Sequence, residues 1–268
     1  MKKIFKGIFK ILLFLILLFV IVSAIFVMVF KYTFNKEYSE EKIRKIVDEK
    51  REEVMYTKLN QVDKKYIDAL IATEDHRFYQ HNGIDRISIL RAITVNFKNK
   101  KIIEGGSTIS QQLIKNLILD QNVTVNRKIK EAYLTLKFEK MYSKNEILEL
   151  YMNTSYFGSG YYNILSASIG YFGKMPNDLT KTESVFLAGV PNAPAVYDPR
   201  VNEKKAHQRR NQVLSKMVDN NVISEEEAKE LSKEKIKVLD KDKTDKMLEN
   251  IFEQRKKQQE NKSQEEKE

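Results

Sequence analysis

The sequence has no cysteine and only four prolines among its 268 residues. Without cysteine the chain has no disulfide and no thiolate metal site, so an oxidising compartment presents no hazard to it. Sustained alternation of apolar and polar residues is also missing, apart from short pieces near positions 158–173. Because such alternation is the main signal for strands, its absence predicts a mostly α-helical protein.

Charged residues are absent from positions 11–30, which form an apolar run of twenty residues. As a helix rising about 1.5 Å per residue, this run spans about 30 Å, the thickness of a membrane's hydrocarbon core. The alternative is a cleaved signal peptide, because Ser23 and Ala24 offer small residues. The run continues for six residues past Ala24, however, and the apolar core of a signal peptide is usually about 7–15 residues long. We therefore predict an uncleaved transmembrane anchor.

The net charge of +10 is concentrated near the N-terminus. Residues 1–36 carry six lysines and no acidic residue, whereas residues 37–199 carry 23 basic against 21 acidic groups. Four of the lysines precede the apolar run, so the positive-inside rule predicts that residues 1–10 are cytoplasmic and that the bulk of the chain lies outside. Nothing in the sequence resembles a nucleic-acid-binding module, so we expect no nucleic acid partner.

The rest of the chain divides by composition into a linker over 31–44, a main domain over 45–235 and a charged tail over 236–268. The tail is rich in lysine, glutamate and glutamine, which favours a solvated helix or a disordered segment. Within the main domain Asp63 can cap a helix, and Ser/Thr-x-x-Glu capping boxes at Ser143, Thr180 and Ser224 mark three further helix starts. Pro191 is expected to end the second of these helices.

Glu74 lies on the apolar stripe of the helix that Asp63 caps, after Tyr66 and Leu70. Its carboxylate should therefore face a packed cleft, and a carboxylate removed from water is a stronger base. We predict that Glu74 is a general base; the alternative is an ion pair with a nearby arginine such as Arg77. The nearby residues Asp75, His76 and His81 do not have the spacing of a structural zinc site.

Residues 105–116 read Gly-Gly-Ser-Thr-Ile-Ser-Gln-Gln-Leu-Ile-Lys-Asn, a double-glycine turn that enters a helix. Such a turn offers backbone N–H groups and the positive end of a helix dipole to an anion, and Gln111 and Lys115 lie one turn apart on one face. The alternative is an ordinary helix cap with a solvated lysine, which leaves the two glycines and two glutamines unexplained. A base and a phosphate-binding turn behind a membrane helix indicate an enzyme that acts on a phosphate-bearing lipid.

Three further segments follow, Arg-Lys-Ile-Lys-Glu at 127–131, Lys-Asn-Glu-Ile-Leu-Glu-Leu-Tyr-Met-Asn at 144–153 and Arg-Arg-Asn-Gln-Val-Leu at 209–214. Together with residues 74–83 and 105–116, and in this order, they resemble the family 51 glycosyltransferases, the peptidoglycan polymerases found alone or fused to penicillin-binding domains. The resemblance covers roughly residues 40–230. A Ser-x-x-Lys sequence at 232–235 has no Lys-Thr-Gly partner, so we expect the monofunctional form.

The resemblance implies a lysozyme-like, mostly α glycosyltransferase domain with a small membrane-proximal lobe. It implies an inverting polymerase that joins lipid II into β-1,4-linked glycan at the bacterial plasma membrane and releases polyprenyl pyrophosphate. The catalytic carboxylates would be Glu74 and Glu131. The residues expected to bind substrate or pyrophosphate are Gly106, Ser107, Thr108, Gln111, Gln112, Lys115, Asn116, Arg127 and Lys128.

Glu131 has two alternative interpretations. It is spaced for a surface ion pair with Arg127, worth about 0.2–0.5 kcal/mol. By resemblance it would instead act near the pyrophosphate, through Mg²⁺ or Mn²⁺ or by fixing the neighbouring basic residues. Many family members carry a basic residue near the position of Val123, and this chain lacks that phosphate contact. In the helix over 144–153 most residues read as structural, although Glu149 and Asn153 could face the cleft.

The expected partners are lipid II, the growing glycan strand and membrane lipids, together with penicillin-binding transpeptidases or proteins of the division and elongation machinery. Two other functions remain open. A lysozyme-like glycan hydrolase or lytic enzyme would also use a desolvated glutamate, but it needs no phosphate-binding turn. A catalytically weak scaffold for wall synthesis is the second, and the intact Glu74, Lys115 and Glu131 argue against it.

Overall fold

The computed structural model describes residues 2–101, 105–119 and 124–265. Within these ranges the chain forms α-helices and short 3-10 turns. The one pairing of extended chain that the described residues make is an isolated antiparallel bridge between Tyr156 and Tyr162. The prediction of a mostly α fold is confirmed.

The chain divides into two compact units, residues 1–48 and residues 49–268. The first unit contains helix α1, Lys2–Glu37, and most of helix α2, Glu40–Arg51. Helix α1 includes the predicted span over 11–30, and by length and composition it is the one described helix that could cross a membrane. Much of the predicted linker over 31–44 is helical, since α1 runs on to Glu37 and α2 begins at Glu40.

The second unit holds the remaining described helices. Their bounds are α3 Lys64–Glu74, α4 Arg86–Asn99, α5 Ile109–Leu117, α6 Val125–Met141, α7 Lys144–Thr154, α8 Ile164–Phe172, α9 Lys181–Gly189, α10 Pro194–Tyr197, α11 Glu203–Asp219, α12 Glu225–Leu231 and α13 Lys241–Glu265. Helix α3 packs against α9 and α11, and α5 packs against α6 and α7. The end of α3 and the start of α5 meet where the backbone N–H of Ile109 donates to Asp75 at 3.0 Å.

The helix starts follow the predicted capping residues. Asp63 accepts a hydrogen bond from the backbone N–H of Lys65 at 2.7 Å, and the capping boxes at Ser143 and Thr180 are complete. Ser224 also caps its helix, but the return bond of the box is missing because the carboxylate of Glu227 pairs with Lys181 instead. Helix α9 ends at Gly189, and Pro191 follows in a 3-10 turn.

Helix α6 differs from the usual amphipathic helix in the side chains that it buries. The sequence predicts an apolar face of Val125, Ile129, Ala132, Tyr133 and Leu136. In the structure Val125, Ile129 and Leu136 are exposed, and the buried face carries Glu131, Leu134, Thr135 and Phe138. The helix therefore buries a mixed face that includes a charged side chain, and it leaves three large apolar side chains exposed.

The charged tail also differs from the disordered alternative, because residues 241–265 form helix α13. Helix α13 packs against α8, and side-chain hydrogen bonds to backbone carbonyls hold its C-terminal half in place. Arg255 donates to the carbonyl of Tyr56 at 3.0 Å, and Gln259 donates to that of Glu52 at 3.0 Å. Bonds to main-chain carbonyls have no sequence signature, so composition alone could not reveal this attachment.

Close packing inside α8 allows a test of the fold. A Cβ atom added at Gly170 would lie 2.3 Å from the ring of Tyr161, and the Tyr161 hydroxyl donates to the carbonyl of Gly170 at 3.2 Å. Gly170→Ala should therefore lower the free energy of unfolding by about 1–3 kcal/mol, despite the better helix propensity of alanine. Urea unfolding measures the change. Gly105→Ala, where a Cβ meets no atom of the described residues within 4 Å, is the control, and equal stability of the two variants would contradict the prediction.

Candidate active site

A cleft of about 780 Å³ opens in the second unit among the ends of α3, α5 and α6 and one face of α11. Ten of the eleven predicted site residues line it: Glu74, Gly106, Ser107, Thr108, Gln111, Gln112, Lys115, Arg127, Lys128 and Glu131. Segments that are far apart in the sequence thus supply the walls of a single cavity.

Asn116 is the exception among the predicted site residues. It lines a separate cavity of about 320 Å³ with Leu117, Thr154, Tyr156 and Tyr162. Consecutive residues of an α-helix are about 100° apart around its axis, so Lys115 and Asn116 face different sides of α5. In this structure Asn116 therefore lies apart from the other predicted site residues, and its binding role stays a prediction.

Glu74 ends helix α3, and its side chain is only 9% exposed. One carboxylate oxygen, Oε2, accepts a hydrogen bond from Nε2 of Gln112 at 2.9 Å. The other, Oε1, lies 3.3 Å from Nη2 of Arg209. The alternative partner Arg77 is engaged elsewhere, since its guanidinium pairs with Asp85. Glu74 is thus a largely buried carboxylate held by two donors at the cleft wall.

Asp75 joins the segment that follows Glu74 to the start of α5. It accepts hydrogen bonds from Nε2 of His81 at 2.9 Å and from the backbone N–H of Ile109 at 3.0 Å. The Thr108 hydroxyl accepts the backbone N–H of Gln111 at 3.1 Å. These two N–H groups at the helix start are therefore already used, and an anion in the cleft would depend mainly on basic side chains.

Asp75, His81 and Asp85 present ligand atoms within 4.8 Å of one another. Asp85 accepts hydrogen bonds from Ser88 and from the backbone of Ile87, in addition to its ion pair with Arg77. The neighbouring guanidinium and these hydrogen bonds hold the pKa of Asp85 well below its usual range, although burial opposes the effect. Protein donors therefore satisfy both carboxylates.

Glu131 is a buried carboxylate, 2% exposed, on the inner face of α6. It accepts hydrogen bonds from Nε2 of Gln111 at 3.1 Å and from Nη1 of Arg127 at 3.1 Å, and it pairs with Lys128. The ion pairs of Glu131 are therefore formed by a buried carboxylate and are not surface ion pairs. A divalent cation such as Mg²⁺ or Mn²⁺ would have to displace two cationic side chains here, so the site does not fit the ion. The contacts match the alternative in which Glu131 fixes the basic residues.

The cleft is rich in positive charge. Its walls carry six basic and four acidic side chains. Lys115 makes no ion pair or hydrogen bond with the part of the chain that the structure describes, and Lys128 also reaches Oγ of Ser107 at 3.1 Å. A surplus of cations in a partly desolvated cleft favours a strongly anionic ligand such as a phosphate group. Val123, the position of the missing basic residue, lies outside the described residues.

Arg209 is the site residue for which sequence reasoning assigned no role. It lies 135 positions from Glu74 in the chain and is held by a bond from Nε to the carbonyl of Gly189 at 2.8 Å. Its neighbour Arg210 is 1% exposed and donates to the carbonyls of Glu234 and Ser232. The paired arginines at 209–210 were the available signal, but only the fold shows that one faces the cleft and the other the interior.

Sequence reasoning also assigned no role to several other residues of the cleft wall. They are His76, Arg91, Tyr197, Gln212, Lys216, Asp219 and Asn220, among others. Burial, together with the charges of Arg91 and Arg77, lowers the pKa of His76, which keeps its ring neutral at pH 7. Glu149 and Asn153, in contrast, bond to residues 56–59 and are absent from the cleft wall, so their structural interpretation holds.

A sequence model of the family described as transglycosylase matches residues 39–218, which include every segment that lines the cleft except the last residues of its wall. The chain belongs to the transglycosylase family. The buried Glu74, the basic wall around Glu131 and the cleft between them all lie inside the matched region of this transglycosylase.

The transglycosylase is similar to several penicillin-binding proteins. It is 44% identical to penicillin-binding protein 1A of Aquifex aeolicus over 175 residues, which cover 65% of this chain and 24% of that protein. It is 43% identical to penicillin-binding protein 1F of Bacillus subtilis over 192 residues, 69% of this chain and 27% of that protein. The chain thus spans about a quarter of the length of these curated relatives.

A solved structure also resembles the chain, the 2.6 Å crystal structure of penicillin-binding protein 1A from Haemophilus influenzae. The two share 28% sequence identity and a TM-score of 0.42, over 68% of this chain and 18% of that one.

The two adjacent arginines should respond differently to truncation. Arg210→Ala removes charged donors from two buried carbonyls and should cost about 1.5–3 kcal/mol of stability, the usual value of such bonds. Arg209→Ala should cost less stability but reduce glycosyl transfer per folded molecule, because it removes the cation beside Glu74. Thermal unfolding and a transfer assay on both variants provide the comparison. Equal loss of stability with equal activity would show that the two arginines have the same, purely structural role.

Proposed function

We propose that this transglycosylase is a peptidoglycan glycosyltransferase that polymerises lipid II into β-1,4-linked glycan and releases polyprenyl pyrophosphate. The observation that carries the proposal is one cleft that combines the buried Glu74 with Lys115, a cation without a described protein partner. A base near a sugar hydroxyl and a cation near a phosphate are the two requirements of transfer from a sugar pyrophosphate.

Glu74 is the general base of the proposed reaction. Its carboxylate takes the proton from the 4-hydroxyl of the acceptor sugar as that oxygen attacks the anomeric carbon of the donor. The new bond joins the acceptor oxygen to that carbon, and the bond between the carbon and the pyrophosphate oxygen breaks. Attack from the face opposite to the leaving group converts an α-linked donor into a β-linked product. Each carboxylate oxygen accepts from one donor among the described residues, which leaves acceptor capacity for the substrate hydroxyl.

The basic wall stabilises the leaving pyrophosphate. Negative charge accumulates on this group as its bond to the sugar breaks, and cations fixed in advance at that point lower the barrier. Lys115 supplies an ammonium from α5, while Arg127 and Lys128 supply charges from α6. Glu131 holds the latter two in place through its hydrogen bonds. In this proposal Glu131 is a positioning residue and no metal ion takes part in a step.

The outer surfaces of α4 and α6 support an action at a lipid surface. On α4, Ile87, Leu90 and Phe97 are 64%, 65% and 87% exposed, and α6 adds the exposed apolar face that includes Val125. Soluble proteins rarely leave such apolar faces open to water. We therefore propose that these faces contact the outer leaflet of the bacterial plasma membrane, while helix α1 anchors the chain with its N-terminus in the cytoplasm.

The proposal extends to partners and distinguishes the rival functions. The polymer is an uncrosslinked strand, so its consumer must be a crosslinking enzyme, for which a penicillin-binding transpeptidase is the natural class.

A glycan hydrolase would gain nothing from the surplus of cations in the cleft. Incubation of the purified protein with labelled lipid II separates the possibilities: long polymer supports the polymerase, fragments from added glycan support a hydrolase, and unchanged substrate supports a scaffold.

Replacing the proposed base gives the first prediction of this function. Glu74→Gln keeps the size of the side chain but removes its ability to accept a proton, so polymerisation should fall about 10²–10⁴-fold with little change in folding. Asp219→Asn is the matched control, because Asp219 is another carboxylate of the cleft wall without an assigned role. Initial rates on labelled lipid II measure the effect, and near-normal turnover by Glu74→Gln would refute the assignment.

The exposed apolar stripe of α4 generates a second prediction. Leu90→Asp should weaken contact with lipid and slow polymerisation at low lipid II density, because surface confinement raises the effective substrate concentration. At high density in vesicles much of the rate should return, since the chemical step is untouched. Val201→Asp replaces a residue that is 76% exposed and far from this stripe in the chain, so it is the control. Rate curves for the two variants that coincide at every density would exclude a role of the stripe.

A further inference from the structure

We propose that Tyr151 is a positioning residue that orients Glu74 through the side-chain amide of Gln112. The inference rests on the proposed role of Glu74 as the base. It concerns a residue of α7 that is absent from the cleft wall and that therefore acts on the reaction only through a neighbour.

A chain of two hydrogen bonds connects the three side chains. The hydroxyl of Tyr151 donates to Oε1 of Gln112 at 3.1 Å. Nε2 of the same amide donates to Oε2 of Glu74 at 2.9 Å. Gln112 thus receives a hydrogen bond at its acceptor end and gives one at its donor end, and both distances are normal for hydrogen bonds.

The orientation of the Gln112 amide decides how it interacts with the base. An amide rotated by half a turn would set its carbonyl oxygen against the carboxylate of Glu74, so two acceptors would face each other. This orientation is disfavoured because the carboxylate can only accept, and a donor at the far end of the amide stabilises the observed orientation through a second hydrogen bond. Tyr151 is such a donor, because burial and the negative charge of Glu74 raise its pKa well above the usual value and keep the hydroxyl protonated.

Packing gives the donor a fixed position. Tyr151 is fully buried, and its helix α7 packs against α5, which carries Gln112. The other oxygen of Glu74 faces Arg209. The base is thus held by a cation on one oxygen and by a neutral amide on the other, and the neutral contact fixes direction without adding a second positive charge.

The chain contains a close control for the loss of a buried hydroxyl. Tyr66 lies on α3 and is fully buried, but its hydroxyl makes no hydrogen bond with the described residues. Tyr66→Phe and Tyr151→Phe therefore remove the same atom from two fully buried rings, and only the second change interrupts the connection to Glu74.

The test is a double-mutant cycle on the full-length protein with lipid II as substrate. The variants are Tyr151→Phe, Gln112→Met and the combination, with Tyr66→Phe as control, and each is measured for kcat, KM and thermal unfolding. We expect Tyr151→Phe to lower kcat about 10-fold through misplacement of the base, with KM nearly unchanged. Because Tyr151 acts through Gln112, the double variant should be no slower than Gln112→Met alone.

Any of three results would overturn the inference. One is an unchanged kcat for Tyr151→Phe per folded molecule, and another is a double variant in which the two losses multiply. A loss of kcat in Tyr66→Phe equal to that in Tyr151→Phe would also overturn it, since core packing would then explain both. Glu74→Gln in the same assay distinguishes failure of the base assignment from failure of the positioning role. If Glu74→Gln stays active, the base assignment fails. If Glu74→Gln is inactive and Tyr151→Phe is unaffected, only the positioning role is rejected.

Discussion

The hydrogen bond from the backbone N–H of Ile109 to Asp75 connects the two halves of the site. Asp75 follows Glu74 directly, and Ile109 begins the helix that carries Gln112 and Lys115. Because the Asp75 side chain is 3% exposed and also bonds to His81, water competes poorly for this contact. This hydrogen bond thereby holds the segment of Glu74, the proposed base, beside the helix of Lys115, the residue proposed to bind phosphate. The shape of the cleft depends on that contact.

The second constraint on the site is electrostatic. A carboxylate as buried as Glu131 is costly unless charged or polar partners surround it, and Arg127, Lys128 and Gln111 do so. The reverse also holds, because cations gathered in one wall repel one another unless an acidic group lies between them. The wall is therefore ordered before a ligand arrives, and an anionic group meets cations that need little rearrangement.

Helix α6 contributes both to the site and to the exposed surface. The inner face carries Glu131 towards α5 together with Leu134 and Phe138, and Val125, Ile129 and Leu136 are left on the outside. Sequence periodicity identifies two faces on such a helix but not which of them is covered. In a protein that works in water the apolar residues of a helix normally face the core, and the exposed Val125, Ile129 and Leu136 agree with the proposed membrane setting.

Local signals in the sequence determined the helical class, the membrane-length run over 11–30, the capped helix starts at Asp63, Ser143 and Thr180, and ten residues of the cleft wall. Each of these depends on neighbours within a few positions or on segments typical of a family. Only the tertiary structure decided that Arg209 reaches Glu74, that Tyr151 reaches Gln112, and that Asn116 faces another cavity. Such contacts join residues far apart in the chain, and they depend on how helices pack, which no local pattern encodes.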